Sequence, residues 1–334
     1  MKRTQVVRSL AALIACAGLA GCGGKKKDAL SLAFVTNGVA SFWDIAKAGA
    51  EKAGEEIGAE VTVLMPSKGV VEQKQMIEDL LIRGIDGLAV SPIDADNQVE
   101  VLDKAADTTK FMTVDSDAPK SKRRLYLGMD NYKAGRMCGQ LVKEALPDGG
   151  TVMIFVGRLE QDNAKGRRQG VIDELMGRSE DSSRFDPPGE VVKNDKYQIL
   201  GTLTDQFDRA QGKALVDDTL SRYPDLGCAV GLFVYNPPLI LESLERAGKL
   251  GQVKVVGFDE AEETLQAITE GTVQGTVVQN PFEYGYRSIQ ILSKWAKGDE
   301  SVIPADGFID IPARIIRKDD AAAFAADLKA KLGR

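Results

Sequence analysis

From residue 31 onward the chain alternates short apolar runs with longer stretches in which apolar residues recur every three or four positions. The runs at 31–35, 60–64, 87–91, 110–114, 125–128, 151–155, 190–193, 228–234, 253–257 and 272–278 predict strands. Many are nearly continuous in Val, Ile, Leu, Ala and Phe, as strands covered on both faces are. Between them, 42–57, 70–83, 97–106, 132–145, 164–176, 207–223, 238–247 and 283–297 predict crossover helices. This alternation predicts an α/β architecture on parallel sheets, and 334 residues are more than one core ordinarily organises, so two domains are expected.

The first 21 residues follow another pattern. Lys2, Arg3 and Arg8 precede an apolar run from Leu10 to Ala20 that is too short to span a bilayer and reads as an export signal. Leu19-Ala20-Gly21-Cys22 resembles the bacterial lipobox, which predicts cleavage before Cys22 and lipidation of its thiol. Residues 22–29, including Lys25, Lys26 and Lys27, then read as a polar tether. The expected location is outside the cytoplasm, held to a bacterial membrane by lipid and facing the periplasm or cell exterior.

Charge and composition remove several function classes. The chain has no histidine, so Ser-His-Asp and Cys-His catalysis, His-ligated zinc and His-based pH switching are excluded, and no metal or cofactor is expected. The net charge is −6; without Lys2, Arg3 and Arg8 it becomes −9, and with the three tether lysines also set aside −12. Phosphate binding needs a basic face, so nucleic acid is not an expected partner. Beyond Cys16 and Cys22, only Cys138 and Cys228 remain. One disulfide would be allowed in an oxidising compartment, but two buried free thiols are the expectation.

Ligands of open parallel sheets sit at the carboxyl ends of the strands. There the chain places Thr36, Asn37, Phe42 and Trp43, then Ser91, then Asp115-Ser116-Asp117; in its second half come Asn163 to Arg167, Asn236, Asp259 and Gln279. Carboxylates, carboxamides and a guanidinium supply bidentate hydrogen bonds to hydroxyls, while aromatic rings cover apolar C–H faces, an inventory suited to a monosaccharide.

Seven ordered motifs carry a resemblance. Ser31-Leu-Ala-Phe-Val-Thr36 with Ser41-Phe42-Trp43, Arg83-Gly-Ile-Asp-Gly-Leu-Ala-Val-Ser-Pro92, Thr113-Val-Asp115, Ala164-Lys-Gly-Arg167-Arg-Gln-Gly170, Val234-Tyr-Asn236, Val255-Val-Gly-Phe-Asp259 and Val277-Val-Gln279 resemble those of the periplasmic ribose-type sugar-binding proteins of ABC importers. The resemblance implies two similar doubly wound parallel-sheet lobes joined by a three-segment hinge, the type I periplasmic binding protein fold. The lobes would be 30–130 with 280–308 and 131–279 with 309–334, the latter including a C-terminal helix. It further implies a monomer that takes a monosaccharide by lobe closure and passes it to an ABC permease. In that reading Phe42 and Trp43 lie against the sugar, Asp115 clamps hydroxyls, and Arg167, Phe207, Asn236, Asp259 and Gln279 complete the site. Two positions depart from the ribose pattern: Ser116 stands where an arginine is usual, and Ala40 where an asparagine is usual.

Each assignment has a structural competitor. The competitor for Phe42 and Trp43 is a core role, for Asp115 and Asp259 a helix cap, and for Asn236 a turn residue before Pro237-Pro238. For Arg167 the competitor is a solvated helix face, which is the expectation for Arg168. At the level of function, the alternatives are a sensor presenting ligand to a membrane receptor and an enzyme using Asp115 and Asp259 on glycosides.

Overall fold

Residues 29–331 are described by a computed structural model; the signal segment, Cys22 and the tether up to residue 28 lie outside the described residues. The chain begins with β1 (Ser31–Val35), α1 (Ser41–Ile57), β2 (Glu60–Leu64), α2 (Val70–Arg83), β3 (Gly87–Val90), α3 (Val99–Thr108), β4 (Lys110–Val114) and β5 (Tyr126–Gly128). It continues with α4 (Asn131–Ala145), β6 (Gly150–Val156), α5 (Asp162–Met176), β7 (Val192–Lys193), β8 (Tyr197–Thr204), α6 (Arg209–Arg222), β9 (Cys228–Gly231) and α7 (Asn236–Arg246). The last part holds β10 (Lys254–Phe258), α8 (Glu262–Glu270), β11 (Gly275–Val278), α9 (Pro281–Ala296), β12 (Phe308–Asp310), β13 (Arg314–Ile316) and α10 (Lys318–Lys331).

These strands form two sheets, ordered β2-β1-β3-β4-β5-β12 and β7-β8-β6-β9-β10-β11-β13. All pairings are parallel except those of the edge strands β7 and β13. In each sheet the first strand of its βαβ series is flanked by the second and third, so the order reverses between β1 and β3 and again between β6 and β9. The loops leaving these strands therefore diverge and open a crevice at the carboxyl edge, where a ligand fits. The chain passes between sheets after Gly128, after Val278 and after Asp310. The expected boundary at 308 is corrected: residues 308–310 are β12, hydrogen-bonded in register to Tyr126–Gly128 of the first sheet.

Each lobe closes one sheet face with a helix pair in near contact. Between α1 and α9, a side chain on Gly285 would begin 1.8 Å from the Ala46 carbonyl oxygen, and one on Gly49 would begin 2.1 Å from that of Phe282. Between α4 and α5, Gly170 and Gly135 meet the Tyr132 and Arg167 carbonyls at 2.1 and 2.0 Å in the same way. Backbones this close admit only hydrogen at these positions, and the second pair sets the height of Arg167 above its sheet.

Four elements escape the reading of the sequence pattern: β8, α8, β12 and β13. In β8 the pairing with β6 skips Leu200, between Ile199 and Gly201, so the period-two alternation that marks a strand is interrupted. The run expected as strand through 234 instead ends at Gly231. There the chain turns, because the Asn236 side-chain oxygen accepts from the Phe233 backbone N–H at 2.9 Å. Phe207, expected to begin a helix, precedes it; α6 starts at Arg209, capped by Asp208. Cys138 and Cys228 are both buried and free.

Candidate functional site

The cleft between the lobes is built by strand-end loops whose backbone is bent in an uncommon way. Asp115 after β4, Asp259 after β10, and Gln206 and Phe207 after β8 have φ of 62, 65, 57 and 64°. Among the described residues these are the non-glycine positions in the left-handed region, and all four line the cleft. Such a conformation costs on the order of 1–3 kcal/mol at a bulky residue, and aspartate tolerates it better than most. Here it turns the two carboxylates off the ends of their strands and into the crevice.

Asp115 joins the lobes. Its Oδ2 accepts from Ser91 Oγ at 3.1 Å and Asn37 Nδ2 at 3.4 Å on its own lobe, and from Asn163 Nδ2 of the second lobe at 3.2 Å. Its Oδ1 lies 3.6 Å from Arg167 Nη2. Burial raises the Asp115 carboxyl above the usual range, and Arg167 is the main opposing influence. Arg167 is itself buried, with Nε donating to Asn131 Oδ1 at 2.9 Å, Nη1 to the Leu232 carbonyl at 3.2 Å, and its plane 4.1 Å over the Phe258 ring. Fixed on three sides, the guanidinium is held in one orientation in the cleft wall.

Across the crevice, Asp259 Oδ1 accepts from Gln279 Nε2 at 2.8 Å, and Gln279 Oε1 accepts from the buried Tyr284 hydroxyl at 3.1 Å. Burial pushes Asp259 up to about 6, opposed chiefly by Arg167. The neighbouring Glu260 is buried with neither carboxylate oxygen partnered, and burial, with Asp259 beside it, raises its carboxyl well above the usual range. Neither Asp115 nor Asp259 caps a helix: α8 begins after Ala261 without a side-chain cap.

Two aromatic walls face each other. Phe42 and Trp43 meet edge to face at 4.8 Å, and Trp43 Nε1 donates to Asn37 Oδ1 at 3.1 Å. Both rings are buried and both line the cleft, so the pair belongs to the first lobe's core and faces the crevice at once. Opposite, Phe207 stacks on Phe233 at 5.6 Å and 16°. Asp205 fixes that wall, accepting from the Phe207 N–H at 2.9 Å, the Tyr235 hydroxyl at 2.5 Å and Asn236 Nδ2 at 3.0 Å.

The cleft encloses about 620 Å³, within the usual range for small-molecule sites. Of the residues expected there, Asn37, Phe42, Trp43, Asp115, Arg167, Phe207, Asp259 and Gln279 line it. Three expectations are corrected. Thr36 bonds the turn that follows it through the Gly38 carbonyl, Ser91 stands behind Asp115, and Asn236 closes the β9–α7 turn; none faces the cavity. Arg168 is not on a solvated face: the 178–190 segment covers it, and it is buried with bonds to Thr202 Oγ1 and the Asp186 carbonyl, both 2.7 Å.

Sequence reasoning missed Gln161, Phe233 and Tyr235, which line the cleft, and Asp205, which supports its Phe207 wall, and did not single out Asn163. The strand-end rule pointed to their loops but not to which side chains turn inward. Among the described residues no group of three or more Cys, Asp or Glu is placed to hold a metal ion, and no helix is long and apolar enough to cross a membrane.

Comparison with known proteins places this geometry. The family described as periplasmic binding protein domain matches residues 32–300. The ribose import binding protein of Escherichia coli is 24% identical over 298 residues, 87% of this chain and 93% of that protein. A Burkholderia graminis ABC transporter solute binding protein, solved in complex with D-arabinose, is similar with 27% identity and a TM-score of 0.79, covering 89% of this chain and 98% of that one. A glucose-galactose binding protein from Geobacillus stearothermophilus shares the fold, with 23% identity and a TM-score of 0.78, over 88% of this chain and 99% of that one.

Proposed function

The chain belongs to the periplasmic binding protein family, and we propose from that premise that it captures a monosaccharide between its two lobes and delivers it to an ABC permease. The observation that carries the reading is the placement of Asp115, an acceptor for sugar hydroxyls, among partners from both lobes, between two aromatic walls. In this arrangement Trp43 and Phe42 cover one face of the ring and Phe207 and Phe233 the other. Asp115, Asp259, Asn37 and Gln279 hold hydroxyls, and Arg167 donates from the second lobe. A buried hydroxyl left unpaired costs about 1–3 kcal/mol, so the set selects among epimers. The relatives named for ribose, arabinose, glucose and galactose support a neutral ring as the common core of the ligand.

The protein acts by binding and not by turnover, as a monomer exported and anchored through lipid on Cys22. The Leu19-Ala20-Gly21-Cys22 tetrad supports the anchor. A thermal-shift screen over pentoses, hexoses and deoxysugars tests the binding reading, because a ligand of the folded state raises stability by RT ln(1 + [L]/Kd). At least one sugar should raise Tm in a saturable, stoichiometric way with no product formed. A sugar consumed catalytically would contradict the account.

A further inference from the structure

The cleft's charges divide by depth. Asp115 is engaged with Arg167, and Asp259 with Gln279, which leaves Lys68, Arg158, Arg209 and Glu263 as the remaining charged residues of the wall. Three of these four are cationic in a chain whose net charge is −6, and Lys68 is offset in part by Glu72 next to it. Arg158 comes from the loop after β6 of the second lobe. Its Nη2 donates to the Gln206 carbonyl at 3.2 Å, and its plane lies 5.2 Å over Phe207. Its Nη1 reaches to 3.8 Å from where a side chain on Gly69 of the first lobe would begin.

Hydrogen-bond demand points the same way. Among the described residues, the buried side-chain atoms on the cleft wall with neither a hydrogen bond nor an ion pair are Arg158 Nε and both carboxamide atoms of Gln161, which is fully buried; Arg167 Nη2 is taken up by Asp115 at 3.6 Å. Two of these three atoms are donors, and one belongs to a guanidinium group. Buried donors left unpaired are costly, so the cleft is complementary to a ligand rich in acceptors at its second-lobe side. A neutral sugar hydroxyl brings a donor of its own beside its acceptor lone pairs; an ionised carboxylate or phosphate supplies only acceptors and matches a guanidinium in charge and shape.

Resting on the sugar-binding reading, we infer that the ligand is a monosaccharide bearing an anionic substituent, a carboxylate or a phosphate ester, held at the mouth of the cleft by Arg158, with Lys68 and Arg209 supplying long-range attraction. The neutral ring occupies the deeper part, between the aromatic walls.

Calorimetry on matched pairs tests this: D-galactose against D-galacturonate for the carboxylate, and D-ribose against D-ribose 5-phosphate for the phosphate. In one pair or both, the anionic member should bind at least about tenfold more tightly at low salt, and the preference should shrink as salt screens it. Arg158→Gln should lose about tenfold or more in affinity for that anionic member while its neutral partner changes little, and Arg158→Lys should retain part of the preference. Lys68→Gln, an exposed change, should reduce the preference to a smaller extent. A neutral member that binds as tightly as its anionic partner in both pairs would overturn the inference and leave the sugar reading intact. Equal weakening of both members by Arg158→Gln would also overturn it, by making Arg158 a structural residue. Absence of binding by any sugar, neutral or anionic, would overturn the sugar reading along with the inference.

Discussion

Asn163 Nδ2 on α5 of the second lobe donates a 3.2 Å hydrogen bond to Asp115 Oδ2 at the end of β4 on the first. Arg167, one helical turn further along α5, brings Nη2 to 3.6 Å from the other oxygen of the same carboxylate. One face of one helix thus meets one carboxylate across the cleft, and the apolar cluster around α1 takes in Val234 and Ala261 of the second lobe. These contacts bring the two lobes together at Asp115, which on the proposed reading couples lobe approach to ligand contact.

Replacing that carboxylate separates the two roles. Asp115→Asn keeps a residue that tolerates left-handed backbone and removes the charge, so sugar affinity should fall by about 2–4 kcal/mol, the scale of a charge-assisted hydrogen bond lost with its partner stranded. The melting temperature without ligand should hold or rise, since burial already disfavours the ionised form. Calorimetry and a melting curve on the same preparation check both; unchanged affinity with a collapsed fold would mean that Asp115 is a structural residue.

Tryptophan fluorescence reports the cleft through one residue. The sequence has two tryptophans. Trp295 is buried in α9 with its Nε1 donating to Glu300 at 3.1 Å, whereas Trp43 lines the cleft and donates to Asn37. Sugar should change the emission of the wild type and leave that of Trp43→Phe nearly constant. A full response in the variant would place the ligand elsewhere.

Asp259 sets a pH dependence whose sign is fixed. Its carboxyl is raised in the folded chain from an ordinary 3.8 to about 6, so the native state holds the proton more tightly than the unfolded one. Its contribution to stability without ligand is therefore complete below about pH 4 and lost as pH rises through about 6. Sugar hydroxyls donate to the ionised form, so affinity runs the opposite way, weakening up to about tenfold from pH 7 to pH 5. Asp259→Asn should flatten that profile relative to wild type, with Asp115, Arg167 and Glu260, the charged neighbours, unchanged. A wild-type affinity independent of pH across this window would contradict the assignment.

Much of this was legible in the chain because parallel strands buried on both faces leave an apolar signature, and their carboxyl ends mark the crevice. Phe42, Trp43, Asp115, Arg167, Asp259 and Gln279 were expected at the cleft that way and line it. Which residue of a loop turns inward was not legible, since it depends on backbone bends such as the 62° φ of Asp115, which no periodicity encodes. Ser91 and Thr36 occupy the right loops but bond to their own lobe, while Gln161 and Phe233 stand in loops of the same kind and face the cavity. Arg168 illustrates a second limit: its burial depends on the 178–190 segment folding over α5, a contact between parts of the chain that local pattern does not link.

Capture by closure, the central claim, is tested most directly by small-angle scattering on the free protein and on the protein saturated with a sugar whose binding fluorescence has established. A ligand held by Asp115, Trp43 and Asn37 from one lobe and by Arg167, Asn163 and Phe207 from the other gains its full contacts only when the lobes approach. About 5 kcal/mol of preference then suffices to move a mostly open population to a mostly closed one. The radius of gyration should fall on saturation, and Arg167→Ala should bind weakly without compacting. Superimposable curves with and without bound sugar, together with full affinity in Arg167→Ala, would contradict it.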